Sequence, residues 1–127
     1  MYQYAPNKVL IIDDCVDMRE LLTFLLVSKG YSVDSTGNGE EAIELLNSGK
    51  LLPAVILLDL RMPVMDGFGF LNLQKESPRL KNIPVIMMTA ENDIVGVRDR
   101  FKLQHVLSKP FNMTSVLDAV DRSKFLH

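Results

Sequence analysis

Ala54-Val55-Ile56-Leu57-Leu58-Asp59 is an unbroken apolar run that ends on a carboxylate. Such a run, β-branched at 55 and 56, suits a strand covered on both faces. A charge in mid-core is costly, so Asp59 marks where this strand emerges into a pocket. Val9-Leu10-Ile11-Ile12 runs in the same way into Asp13-Asp14. Val85-Ile86-Met87-Met88 runs into Thr89, and His105-Val106-Leu107-Ser108 into Lys109. Three acids, a hydroxyl and an amine stand at strand exits, which is the pattern of one assembled site.

The segments between these runs read as amphipathic helices and one further strand. Asp17 with Glu20 reads as a capping-box start. Met18, Leu21, Leu22, Leu25 and Leu26 then form one face, and Gly30 is the stop. Tyr31 to Ser35 alternates weakly and suits an edge strand. Asn38 and Glu41 cap a second helix, with Ala42, Leu45 and Leu46 inward and Gly49 as its stop. The third strand leads into Arg61-Met62-Pro63-Val64-Met65-Asp66-Gly67, a turn in which Pro63 fixes one backbone angle and Gly67 is free to take a positive φ. A third helix follows through Leu71 to Ser77-Pro78. A fourth, over Asp93 to Phe101, is weakened by Gly96. Asn112 caps a last helix with Val116, Leu117 and Val120 on one face. The alternation predicts an α/β domain, a parallel sheet with helices on both faces. The first eight residues and Ser123 to His127 are expected to fray.

The chain has 127 residues, 47% of them hydrophobic and 24% charged, with a formal net charge of −2. That size and balance suit one globular domain. A small negative charge without a Lys/Arg cluster gives no direct nucleic-acid partner and no membrane partner. The apolar runs are too short to span a bilayer, and the N-terminus lacks the regions of a signal peptide. A lone Cys15 forms no internal disulfide. Together these point to the cytoplasm.

In parallel sheets of this kind, ligands bind beyond the carboxyl ends of the strands, where strand order reverses. Asp13, Asp14 and Asp59 gathered there would repel. At about 4 Å and an effective dielectric near 20, each close pair costs roughly 4 kcal/mol. Lys109 supplies one compensating charge, and a divalent cation would supply the rest. The donors are all oxygens, which favours a hard ion such as Mg²⁺, with Mn²⁺ as the alternative. A carboxylate in such a site can act as a nucleophile toward phosphorus. Thr89 can donate to one phosphoryl oxygen and Lys109 can neutralise another.

These residues resemble the receiver domain of two-component response regulators. The resemblance is carried by Val-Leu-Ile-Ile-Asp13-Asp14, Ile-Leu-Leu-Asp59-Leu-Arg-Met-Pro-Val-Met-Asp66-Gly67, Met-Met-Thr89-Ala90 and Ser-Lys109-Pro110-Phe111. It spans nearly the whole chain and implies a flavodoxin-like, doubly wound, five-stranded sheet of order 2-1-3-4-5. Residues 1–127 would form one receiver unit with its core over about 8–122. Asp59 would be the phospho-acceptor, served by a sensor histidine kinase or a phosphotransfer protein. Asp14 would be a direct metal ligand, with Asp13 acting partly through water and the Arg61 backbone carbonyl completing the set. Thr89 would move toward the phosphate and Lys109 would pair with it. The Lys109-Pro110 bond would be cis. Arg61 and Glu91 would flank the phosphate and slow its loss. An unknown downstream protein or a fused output domain would read the result, so the chain is a switch rather than an enzyme.

Two departures from the family pattern stand out. Val106 occupies a position that is usually aromatic. The stretch from Thr89 to Lys109 is about two residues short, with Phe101-Lys102-Leu103-Gln104 where a small Gly-Ala pair is usual. The phosphorylation site is complete, and the output face is altered. Cys15, His105, Met62 and Met65, and the Phe68, Phe70, Leu71 and Leu73 set read as structural. Two alternative functions are a receiver-like scaffold that works without phosphorylation and a Mg²⁺-dependent aspartyl-phosphate phosphatase, with a flavin or nucleotide binder as a third. The phosphatase chemistry wants an acid two residues after the nucleophile, where this chain has Arg61. A flavin or nucleotide site would want a Gly- or Ser/Thr-rich loop after the first strand, where this chain has acids.

Overall fold

The computed structural model describes residues 2–49, 51–60, 62, 64–89, 99, 103, 105–108 and 111–124. Five strands, β1 (Tyr4–Ile12), β2 (Ser32–Thr36), β3 (Leu52–Asp59), β4 (Val85–Thr89) and β5 (His105–Ser108), form one parallel sheet in the order β2-β1-β3-β4-β5. The helices are α1 (Val16–Ser28), α2 (Gly39–Ser48), α3 (Gly67–Glu76) and α4 (Met113–Ser123). The chain passes from β1 outward to β2 and then crosses back to β3 on the other side. The reversal point therefore lies between β1 and β3 at their carboxyl ends.

Strand alternation divides the core in two. Leu10 and Ile12 of β1 join Ile56 and Leu58 of β3 beneath Ala42, Leu46, Phe70 and Leu71 of α2 and α3. Val9 and Ile11 join Val55 and Leu57 beneath Leu22 and Leu26 of α1 and Val116 and Val120 of α4. All eight residues of β3 are buried, as its apolar run requires. β2 is an edge, with Ser32 and Ser35 exposed.

Several local expectations are corrected. α1 is not opened by a capping box: its N-cap is Cys15, whose side chain makes no capping bond. Leu21 and Leu45 point outward. Each lies about 100° around the helix from the buried Leu22 or Leu46, beyond the stripe that meets the sheet. The N-terminus is in the sheet from Tyr4, where β1 pairs Tyr4 with Leu52 before a register shift between Ala5 and Val9. Ser123 is buried at the end of α4 rather than frayed. The expected helix over Asp93 to Phe101 lies almost wholly outside the described residues.

Two polar anchors fix the periphery. Tyr31 donates to Asp121 and carries the Lys124 ammonium 5.0 Å from its ring centroid, tying the start of β2 to the end of α4. Burial, with the carboxylate beside it, pushes the phenol well above its ordinary range. On the opposite face, buried Gln74 donates through Nε2 to the Leu80 and Ile83 carbonyls at 3.0 and 2.9 Å, shaping the turn into β4. Gln74→Leu keeps the volume but strips the donor from two buried carbonyls. It should cost about 2–4 kcal/mol, read as a lower urea midpoint at unchanged slope.

Candidate metal centre at the strand ends

Register brings the acids together. β1 pairs with β3 through Ile12 and Leu58, so the next residues, Asp13 and Asp59, leave the sheet at one level. Asp59 pairs with Met88, so Thr89 follows one step beyond, itself paired with Ser108 of β5. Asp13, Asp14 and Asp59 each present a carboxylate oxygen within 4.8 Å of the others. Asp13 and Asp59 are buried, while Asp14 is exposed at the mouth. Thr89 is buried at the end of β4.

The first turn of α1 holds one acid in place. Asp13 Oδ1 accepts from the Cys15 backbone N–H at 2.9 Å, and the Arg19 guanidinium donates to the Asp13 carbonyl at 2.8 Å. The residue that caps α1 thus also fixes Asp13, leaving Asp14 free to turn toward the opening. Two buried carboxylates beside a third, all oxygen donors, fit a hard divalent cation better than they fit one another. The open side at Asp14 leaves room for the waters such an ion keeps.

The loop after Asp59 is tightly built. Asp66 caps α3, its carboxylate accepting from Gly69 N–H at 2.9 Å, a role the sequence reading did not assign. The positive φ expected at Gly67 is found instead at Val64, with φ 67°. Gly67 is required for a different reason. A Cβ there would lie 2.9 Å from both the Asp59 carbonyl oxygen and Leu60 Cα. Val64 is 77% exposed, so no packing favours a β-branched side chain there. A β-branched residue in the left-handed region stores about 1–2 kcal/mol. Val64→Gly should release it and stabilise the fold by about 1 kcal/mol after the entropy cost of glycine, seen as a higher thermal midpoint.

Arg61, Glu91, Lys109 and Pro110, with the Arg61–Glu91 pair and the Lys109-Pro110 bond, lie outside the described residues. Val106 is partly buried and packs against the core beneath α2 and α3. Met62 and Met65 pack against the same core, as expected for residues around this turn. Phe70 and Leu71 are buried and Phe68 partly so, but Leu73 is exposed. His105 is half-buried at the start of β5, and Cys15 is an exposed free thiol.

Residues 9–121 match the family model described as "Response regulator receiver domain". A "Probable chemotaxis protein CheY" of Rhizobium etli is 33% identical over 117 residues, which cover 90% of this chain and 89% of that protein. A "Transcriptional regulatory protein CpxR homolog" of Haemophilus influenzae is 36% identical over 110 residues, 84% of this chain. The chain spans 45% of that relative's length. Among solved structures, the response regulator protein TrrA of Thermotoga maritima, in complex with Mg²⁺-BeF, aligns with a TM-score of 0.78 at 27% identity, covering 91% of this chain and 97% of that one. Receiver domains are signalling switches of two-component systems. Among the described residues, no helix is long and apolar enough to cross a membrane. By the match over residues 9–121 and the sheet order that accompanies it, this chain belongs to the response regulator receiver domain family.

Proposed function

We propose that this chain accepts a phosphoryl group on Asp59 from the phosphohistidine of a sensor histidine kinase or phosphotransfer protein and thereby changes a partner-binding surface. The observation that carries the reading is the convergence of Asp13, Asp14 and Asp59 within 4.8 Å at the strand ends. An Asp59 carboxylate oxygen attacks phosphorus, the P–N bond breaks, and the imidazole leaves and regains a proton from solvent. Asp13, Asp14, Asp59 and the Arg61 carbonyl would hold Mg²⁺, which when bound neutralises charge on the acids and the phosphoryl oxygens. Mn²⁺ has the same donor preference. Thr89, one step beyond the Met88 that pairs with Asp59, donates to a phosphoryl oxygen, and Lys109 neutralises another. The TrrA structure, bound to Mg²⁺-BeF, supports the reading by likeness.

The acyl phosphate carries about −1.5 to −2 charges, by analogy with other phosphorylated residues, where the free carboxylate carried −1, so the site gains roughly half to one negative charge. That charge biases the surface between two states by differential contact. A downstream protein or a fused output domain reads the change, and the whole 1–127 unit works in the cytoplasm without turning over a metabolite.

Incubation of the chain with Mg²⁺ and a small phosphodonor such as acetyl phosphate, followed by intact mass, tests the reading. One added phosphoryl group, absent when EDTA replaces Mg²⁺, is expected. An unmodified mass under all conditions would turn the reading toward a scaffold that works without phosphorylation.

A further inference from the structure

We infer that Met65 latches the loop leaving Asp59 to the first turn of α2, so that occupancy of the acidic site is felt at the α2 N-terminus. This rests on the reading of Asp59 as a phospho-acceptor. The N–H of Gly39 is the first of α2 and would ordinarily face water. It instead donates to the Met65 carbonyl at 3.2 Å. Asn38 satisfies a second orphan donor through its side chain, which accepts from Glu41 N–H at 2.9 Å. One of this helix's orphan donors is therefore capped by the loop that follows the acceptor.

The side chain of Met65 reinforces the backbone bond. It lies in a slot cut by two glycines. A Cβ on Gly39 would fall 2.9 Å from Met65 Cγ and Sδ and 3.1 Å from its carbonyl oxygen. A Cβ on Gly69 would fall 3.0 Å from Met65 Cγ. The two ends of the same loop close on each other, with Gly67 N–H donating to the Leu60 carbonyl at 2.9 Å, and Leu60, the residue after Asp59, donates its own N–H to the Met88 carbonyl of β4 at 3.1 Å. The left-handed turn at Val64 lies immediately before Met65 and directs it back toward α2.

Close-packed contacts transmit displacement because they have little slack to absorb it. Charge added or neutralised at Asp59 displaces Leu60 and Gly67, and Met65 carries that shift to the Gly39 N–H. Coupling of this kind needs one element whose arrangement both ends bias. The described loop residues Leu60, Met65 and Gly67 form that element, since Leu60 follows Asp59 directly and bonds Gly67, while Met65 caps α2. The route runs through α2, away from β5, where Val106 replaces the usual aromatic.

Amide hydrogen exchange of the full chain, with and without Mg²⁺ plus beryllofluoride, tests the latch, and ¹⁹F NMR reports independently whether the fluoride complex is bound. Exchange at Gly39 should slow by about fivefold or more on binding, within the usual range of coupling between sites. In Met65→Ala the response should fall below about twofold while the ¹⁹F signal persists, and Met65→Leu, which restores the volume, should recover it. Unchanged exchange at Gly39 with the complex bound overturns the latch and leaves the acceptor reading standing. A full response in Met65→Ala overturns it too. Absence of any bound complex overturns the acceptor reading, and the latch falls with it.

Discussion

Asp59→Asn will accept no phosphoryl group, yet in EDTA it will unfold at a higher temperature than the parent. The two effects have one origin. The amide is isosteric with the carboxylate but has no oxygen nucleophilic enough to attack phosphorus, so the gain in intact mass disappears. The same change removes one of three carboxylates whose oxygens lie within 4.8 Å of one another, two of them buried. Each full-strength pair is worth roughly 4 kcal/mol at an effective dielectric of 20. Exposure of Asp14 to solvent reduces that, leaving a net gain of about 2 kcal/mol, or about 5–10 °C in thermal midpoint. Saturating Mg²⁺ should shrink or reverse the difference, because a cation at 100 times its Kd stabilises the parent by roughly 2.7 kcal/mol and has one charged ligand fewer in the variant. Thermal scans of both proteins in EDTA and in Mg²⁺ decide the matter. A lower midpoint for Asp59→Asn in EDTA would mean the acids are not in repulsive contact, and the metal reading would lose its physical basis.

The strand exits were legible because a strand covered on both faces can only be apolar. A run such as Val55 to Leu58 followed by Asp59 leaves little choice of where burial ends. The parallel alternation then implied the reversal point, and the observed register of Ile12 with Leu58 brought Asp13 beside Asp59. Features that depend on tertiary approach were not legible. Asp17 and Glu20 match a capping box letter for letter. The helix starts two residues earlier, with Cys15 rather than Asp17 as its N-cap and Val16 its first residue, because Asp13 draws in the Cys15 N–H. Gly67 reads equally well as a residue for positive φ or as one for close approach, and only the packed Leu60 backbone distinguishes them. Val64 in the left-handed region runs against its own intrinsic preference, so no propensity could have placed it there. Leu21 and Leu45 are apolar yet exposed, and nothing in their type separates them from the buried Leu22 and Leu46.

Gly67→Ala should be the most damaging single-methyl addition near the site. A Cβ at 67 would meet the Asp59 carbonyl oxygen and Leu60 Cα at 2.9 Å and the Leu60 carbonyl oxygen at 3.3 Å. All three are backbone atoms at the exit of the central strand, and none can rotate aside. Either α3 retreats, straining the 2.9 Å bond from Gly67 N–H to the Leu60 carbonyl, or the Asp59–Leu60 segment gives way. Alanine's better helix propensity, about 1 kcal/mol in a helix interior and less at a first helical position, offsets only part of this. A net loss of about 2–3 kcal/mol follows, at the upper end of what overpacking costs. Displacement of Asp59 should also slow phosphoryl acceptance by about tenfold or more, since misplacement by even 1 Å can cost a hundredfold. Gly69→Ala is the internal control. Its Cβ would meet only the side-chain atoms Met65 Cγ at 3.0 Å and Asp66 Oδ1 at 3.6 Å, and neither the Asp59 nor the Leu60 backbone. It should cost less than about 1 kcal/mol and leave acceptance near the parent rate. Urea midpoints and the rate of phosphorylation by acetyl phosphate, taken on both variants, separate the two cases. Equal behaviour of Gly67→Ala and Gly69→Ala would show that the Asp59–Leu60 backbone yields freely, and that its close contact with α3 does not hold the acceptor in place.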